Sequence, residues 1–503
     1  MIRKAAVEGG IVRGIPASDP RITSFKGVPF AAPPVGVNRW RAPQPVVPWA
    51  GEKLCAEYAP IAMQAVPGLN PDNIYTREWH VDPGVPMDED CLYLNIWTPA
   101  GDANAKLPVY VWFFGGGLQV GYPSEMEFDG ERLARRGLIV VTINYRVNVF
   151  GFLAHPQLTA EQPDAPTNFG HLDQQAATRW VKRNIAAFGG DPDCITIGGQ
   201  SAGGGSVCAQ LASPQNDGLF QRAIIQSGMF GGVYGSKFPS RTFADSEQQG
   251  VRFFEELGVS TLEEARAIDA VTIRDKCVER NGFFGTNVDG KFLIENSTKA
   301  LMSGRRQNVP VMITRTTDEF HSVIEAADMD TFRAIIRKTM GKYADEFIGL
   351  CGSDIKTALI DSEVSGLEIS ARALARRTAE LNLDSPVYYG VFDGEIPGWD
   401  HPGTFHSVDL WFYFETLNKC WRPFTGKHLD LARNMCNYWA NFIKSGNPNG
   451  EDVDDTLMPE WTPMTADMKN SIWFTDKPEP REDAPDEKMK LQVAAFIDQV
   501  LSE

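Results

Sequence analysis

Residues 198–206 read GGQSAGGGS, with Ser201 in their midst. A serine hydroxyl is a weak nucleophile until a base takes its proton. Gly199-Gln200-Ser201-Ala202-Gly203 fits G-x-S-x-G. In that pattern a strand turns sharply into a helix, and the serine sits in the strained turn. Small neighbours let the flanking backbone approach without a Cβ clash. The turn also aims the N–H of the next residue, Ala202, at a reacting carbonyl. The apolar run ITIG before the motif and VCAQLA after it supply the strand and the helix that the pattern needs. A plain glycine turn is the competing reading, and that flanking context argues against it.

A nucleophile also needs a place for the negative charge it creates. Phe114-Gly115-Gly116-Gly117 ends an apolar run, and its bare amides can converge on an oxyanion. A base and an orienting acid complete the chemistry, in chain order serine, acid, histidine. His401, His406 and His428 follow Ser201 at useful separation, whereas His321 lies too close to the acid candidates to come last. His406 sits in a glycine-containing loop, PGTFHSVDLWFYF, ahead of an aromatic run. Asp318 and Glu319 follow VPVMIT, and Asp393 and Glu395 follow PVYYGVF. Spacing alone does not choose among them.

The elements that must carry these residues read as alternating strands and helices. LPVYVWFF (107–114) and LIVVTINY (138–145) are continuous apolar runs of the kind buried in a central sheet. CLYLNIWT, CITIGG, RAIIQSG, VPVMIT and PVYYGVF extend the series. DQQAATRWVKRNIAAF (173–188) has helical spacing with Asp173 as its expected cap, and MKLQVAAFIDQVL predicts a docking C-terminal helix. Residues 1–50 suggest short strands and tight turns at an edge, and 230–305 and 320–384 suggest helical insertions. The expected fold class is α/β with a mostly parallel central sheet flanked by helices.

Composition narrows the partners. The chain has 503 residues, 43% of them hydrophobic, and a formal net charge of −17. Such charge argues against nucleic-acid or anionic-membrane surfaces and favours a neutral, cationic or apolar ligand. No apolar run reaches the length of a membrane span, and the start shows no signal-peptide core. The eight cysteines form no CxxC pair and no Cys/His metal spacing, so most are expected to be buried free thiols and no metal is expected.

Taken together, these motifs resemble the type B carboxylesterases, the cholinesterase-like branch of the α/β-hydrolases. FKGVPFAAPPVGVNRW, EDCLYLNIWTP, FFGGG, NYRVNVFGFL, NFGHLDQQAATRWVKRNIAAFGGDP, GGQSAGG and GNPNG stand in that family's order across nearly the whole chain. The resemblance implies an α/β-hydrolase fold and an ester hydrolase that needs no cofactor. It implies Ser201 as nucleophile, Glu319 of TTDEF as acid and His406 of FHSVDL as base, with an oxyanion hole from Gly116, Gly117 and Ala202. Residues 1–503 would then form one catalytic domain. Its parts are 1–105 (strands and loops), 106–229 (oxyanion loop and nucleophile elbow), 230–385 (insertions and acid loop) and 386–503 (histidine loop and docking helix).

Four positions depart from the family pattern. Gln200 replaces a frequent Glu, Phe114 a common His, and Phe320 and Ser407 replace glycines after the acid and the base. The family's first disulfide pairs the cysteine of EDCLYL with one just before MQ; here Cys91 faces Ala62, so that bridge cannot form and the cytoplasm is the expected compartment. The expected partner is a small-molecule ester, with pocket walls from Phe230, Phe283, Phe284 and Trp411 suiting aromatic, feruloyl-like groups. An amidase or carbamate hydrolase would use the same three residues. A binding protein of this fold would have lost the serine. A lipase would carry a large apolar lid, and no segment looks like one.

Overall fold

The computed structural model describes residues 1–70, 72–79, 81–235 and 241–502. Its frame is an 11-stranded sheet. In chain order the strands are β1 (Ile15–Pro16), β2 (Thr23–Pro29), β3 (Tyr93–Thr98), β4 (Leu107–Phe113), β5 (Ile139–Ile143) and β6 (Gly190–Gln200). They continue with β7 (Arg222–Gln226), β8 (Val311–Thr316), β9 (Val387–Phe392), β10 (Ser471–Phe474) and β11 (Pro478–Arg481). Across the sheet they lie in the order β1-β2-β3-β5-β4-β6-β7-β8-β9-β10-β11. The strands from β5 to β10 in that order run parallel, and antiparallel strands close both edges.

The strand sequences explain the arrangement. β5 is buried at every position, as is β4 from Val109 onward, because helices cover both faces of a parallel sheet. The short strands expected in residues 1–50 divide: β1 and β2 lie at the edge of the main sheet, whereas Lys4–Val7 and Gly10–Arg13 join Glu52–Leu54 in a separate three-stranded sheet. Helix α2 (Phe169–Asn184) starts earlier than the sequence pattern indicated. Asp173 is therefore no cap. It lies inside the helix, wholly buried, and takes Arg146 Nε at 2.8 Å and Nη2 at 2.7 Å. The segment 230–384 is largely helical, and the C-terminal helix spans Glu487–Ser502 with Val493, Phe496 and Ile497 facing the core.

Neighbouring parallel strands deliver the candidate residues at one edge of the sheet. Gly115–Gly117 follow β4, Ser201 follows β6, Ser227 follows β7, Glu319 follows β8, and His406 lies on the connection that leaves β9. Ligand sites of parallel sheets form at these carboxyl ends, where loops gather without disturbing the core.

Candidate active site

Ser201 has φ 57° and ψ −125°, between the end of β6 and the start of helix α3 (Ala202–Ala212). A β-carbon on Gly203 would stand 2.1 Å from the Phe113 carbonyl oxygen, and one on Gly199 would stand 2.3 Å from that of Gly203. The elbow closes only because both are glycine. Ser201 N–H donates to Gln226 O at 2.8 Å and its carbonyl accepts from Gly205 N–H at 2.9 Å, so the strained turn is held from both sides.

The glycine loop lies beside it. Gly116 has φ 110° and Gly117 φ 66°, conformations open to glycine, and a β-carbon on Gly116 would meet Val120 O at 2.1 Å. The buried Phe114 ring stacks on Tyr145 at 4.1 Å, and Tyr145 OH donates to Phe114 O at 2.6 Å. Gln64 clasps Gly121 through both its N–H, at 2.8 Å, and its carbonyl, at 3.0 Å. Among the described residues the N–H groups of Gly116, Gly117 and Ala202 have no protein acceptor.

Of the four acids left open by spacing, Glu319 is the one that meets a histidine of the cavity. Its Oε2 bonds to His406 Nδ1. Its Oε1 accepts from Ser227 Oγ at 2.6 Å and from Thr316 N–H at 2.7 Å. Asp318 instead accepts from Thr404 N–H at 2.8 Å, which ties the acid loop to the histidine loop. Asp393 accepts from Thr317 Oγ1 at 2.8 Å, and Glu395 pairs with Lys427. The other histidines serve elsewhere: His428 accepts from Thr425 N–H at 2.9 Å at a helix start, and His401 lines a separate surface depression.

The Ser201 hydroxyl makes no hydrogen bond with the described residues. His406 Nε2 stands 3.3 Å from Gln200 Nε2, and that amide donates to Ser407 Oγ at 2.7 Å. Phe320 and Ser407, where glycine was expected, both keep positive φ, 47° and 81°. The backbone there still calls for glycine, and each side chain is held in its place by a contact. Ser407 bonds to Gln200, and the Phe320 ring meets the His406 ring edge-on at 4.6 Å. Behind them, Asp409 is buried beside Glu319. Burial first, then repulsion from Glu319, pushes its carboxyl up to about 7.

Ser201, Gly115–Gly117, Phe320 and His406 border a cavity of about 460 Å³. Its other walls come from residues 64–68, from Asn73, helix α1 (Ile74–Trp79) and Val81, and from Val120–Phe128. Tyr75, Trp79, Tyr122, Phe128 and Phe320 supply its aromatic surface. None of the four aromatics expected from sequence is among the lining residues. Phe230 is half exposed and meets Phe320 edge-on at 4.8 Å, and Trp411 is wholly buried, stacked on Trp79. Phe284 is buried against Phe253, while Phe283 is half exposed on the surface. Trp411 Nε1 donates to Glu78 Oε1 at 3.0 Å. Glu78 also takes Arg422 at 2.7 Å in a fully buried ion pair, which anchors α1.

The carboxylesterase family model matches residues 2–350 and 359–494. Para-nitrobenzyl esterase of Bacillus subtilis (strain 168) is 32% identical, over 91% of this chain and 93% of its own length. Cholinesterase of Mus musculus is 30% identical, over 90% and 80%. Fumonisin B1 esterase of Sphingopyxis macrogoltabida is 32% identical, over 88% and 82%. Among solved structures, a PNB esterase superimposes with TM-score 0.77 at 27% identity, covering 98% of this chain and all of the other. A Geobacillus stearothermophilus carboxylesterase gives TM-score 0.73 at 29% identity, with 98% and 100% covered. The sheet order and these neighbours make the fold an α/β-hydrolase. Matched along almost its entire length, the chain belongs to the carboxylesterase family and is a carboxylic ester hydrolase.

Proposed function

We propose that Ser201, His406 and Glu319 hydrolyse small to medium carboxylic esters through an acyl-enzyme. The observation that carries this reading is the Glu319–His406 bond on the wall of the cavity that Ser201 and the glycine loop also border. Glu319 fixes Nδ1 as the protonated nitrogen, which leaves Nε2 as the base. The reading requires Ser201 Oγ to reach Nε2 once substrate is bound; catalytic hydrogen bonds commonly tighten only in that complex. Nε2 takes the Ser201 proton as Oγ attacks the carbonyl carbon. The N–H groups of Gly116, Gly117 and Ala202 receive the oxyanion. The imidazolium protonates the departing alcohol, and water then releases the acid by the same steps.

Tyr75, Trp79, Tyr122, Phe128 and Phe320 around the cavity support aromatic esters among the substrates. The names of the relatives point the same way, since one is an esterase of a nitrobenzyl ester. All eight cysteines are free, and Cys91 borders a small cleft with Ala62, which supports a reducing compartment such as the cytoplasm. Among the described residues no helix is long and apolar enough to cross a membrane.

The test is hydrolysis of 4-nitrophenyl acetate, butyrate and octanoate and of methyl ferulate by the wild type and by Ser201→Ala. The wild type is expected to turn over the shorter esters. The variant is expected to lose about 10⁴-fold or more. A folded wild type inactive on all four, or a variant as active as the wild type, overturns the reading.

A further inference from the structure

The buried Arg422 guanidinium joins two segments that lie far apart in sequence. Its Nε donates to Glu78 Oε2 at 2.7 Å, and its Nη1 donates to Asp400 Oδ1 at 2.9 Å and to Pro397 O at 3.1 Å. A planar fork lets one cation bridge two carboxylates, which a lysine ammonium does not reproduce. Glu78 belongs to α1, on the cavity wall with Tyr75 and Trp79. Pro397 and Asp400 belong to the connection between β9 and His406. Beyond the base, Trp411 Nε1 donates to the same Glu78. The segment 397–411, which carries His406, is therefore tied to α1 at both ends. Phe405, next to the base, fills the space between. Its ring meets Tyr75 at 6.3 Å and Trp79 at 6.4 Å, both edge-on, and Arg422 lies over it at 5.8 Å.

Stability alone does not call for this bridge, since apolar side chains of similar volume commonly stabilise a core as well as a buried ion pair does. What the bridge adds is a fixed placement of the base segment relative to the wall. Placement matters at this site. His406 Nε2 faces the Gln200 amide, and the Ser201 hydroxyl makes no hydrogen bond with the described residues. The base has to come to the serine before it can take the proton. A misplacement of about 1 Å costs on the order of a hundredfold in rate.

We propose that Arg422 is a positioning residue that couples the α1 wall to the base: a substrate group seated against Tyr75 and Trp79 shifts α1, and the tied segment brings His406 Nε2 to Ser201. This rests on the reading in which Nε2 deprotonates Ser201. Contacts remote from the reacting carbonyl then act on the reaction step and not on affinity.

The experiment cuts the tie on the base side with Asp400→Ala, which leaves the Glu78–Arg422 pair in place. kcat/KM is measured for methyl acetate, benzyl acetate and methyl phenylacetate, the last two carrying a ring on the alcohol and on the acyl side. The readout is the ratio of each aromatic ester to methyl acetate, in wild type and variant, so a general loss of activity divides out. In at least one series the ratio is expected to fall about tenfold. The Kd of that aromatic ester, titrated by ligand-observed NMR in Ser201→Ala with and without Asp400→Ala, is expected to stay within about twofold. An unchanged ratio in both series overturns the proposal. So does a fall matched by an equal rise in Kd, which would make the wall a binding surface only. If the alanine variant does not fold, Asp400→Asn, close in shape, takes its place with an expected fall of about threefold and the same two overturning results. A wild type that hydrolyses none of the three esters sinks the esterase reading. Hydrogen exchange of the 397–411 segment then tests the coupling by itself. Saturating benzyl acetate or methyl phenylacetate should slow it in Ser201→Ala and much less once Asp400→Ala is added. No slowing, or equal slowing in both proteins, sinks the coupling.

Discussion

Two buried glutamates lie beside one cavity, Glu127 on its wall and Glu319 bonded to His406 of that wall, and they live by opposite rules. Glu319 is 5% exposed and takes hydrogen bonds from Ser227, Thr316 and His406. Glu127 is still more deeply buried, and its Oε2 takes none from the described residues. Burial by itself therefore does not identify a working carboxylate. The supply of donors does: three donors hold the Glu319 carboxyl in one orientation toward His406, whereas Glu127 Oε2 is left without one among the described residues.

The sharpest way to break this contrast is Glu319→Gln. An amide can still touch His406, but it holds no charge to favour the imidazolium and can impose the wrong tautomer. The expected loss is about 10³–10⁴-fold in kcat/KM for 4-nitrophenyl butyrate. A loss under tenfold would mean that another acid supports the histidine.

The matching change on the other wall, Glu127→Gln, should act on stability with a definite sign. The folded wild type keeps protons that the unfolded chain releases above the ordinary glutamate value of 4.5, because both carboxyls are raised, Glu125 to about 7. Stability held below that value is therefore lost as pH rises through the window toward and beyond 7. Thermal melts across this range should show a flatter decline for Glu127→Gln. Above neutrality its Tm should exceed that of the wild type by about 1–3 °C. A variant that declines as steeply as the wild type would place the unsatisfied charge elsewhere.

The smallest expected effect is at Phe320→Gly. Glycine relieves the positive φ of 47° but removes the edge-on ring contact with His406. We expect kcat/KM to fall by about two- to tenfold with no loss in Tm. Unchanged kinetics would show that the ring does not steady the base.

What could be read from sequence followed from how local each constraint is. Ser201 announces itself because its elbow needs glycine at 199 and 203, and those contacts are made within a few residues or across one strand. The parallel strands are legible because burial on both faces forces continuous apolar runs. The acid was not separable by spacing, since Asp318, Glu319, Asp393 and Glu395 all follow strands. What distinguishes Glu319 is a bond to a residue 87 positions away. The aromatics were misjudged for a related reason. Trp411 is as apolar as Trp79, and only tertiary layering decides which faces the cavity and which lies behind it. Glu125 and Glu127 escaped notice because acidic turns are ordinarily solvated. Asp173 resembled a cap, and only the position of Arg146 shows it to be the anionic half of a buried pair.

The anchoring of helix α1 by Glu78, Arg422 and Trp411 has an evolutionary consequence. The proposed reacting groups follow strands of the sheet, but much of the facing wall hangs on an excursion held by Gln64 on Gly121 and by the buried Glu78–Arg422 pair. Residues 65–70 on that excursion can be rewritten, lengthened or exchanged between relatives while Gln64 and the buried pair hold and the sheet is untouched. Descendants of such a chain can diversify what they accept without relearning how to cut it. Loss of Arg422 would remove that freedom at a stroke, with no change to any reacting atom.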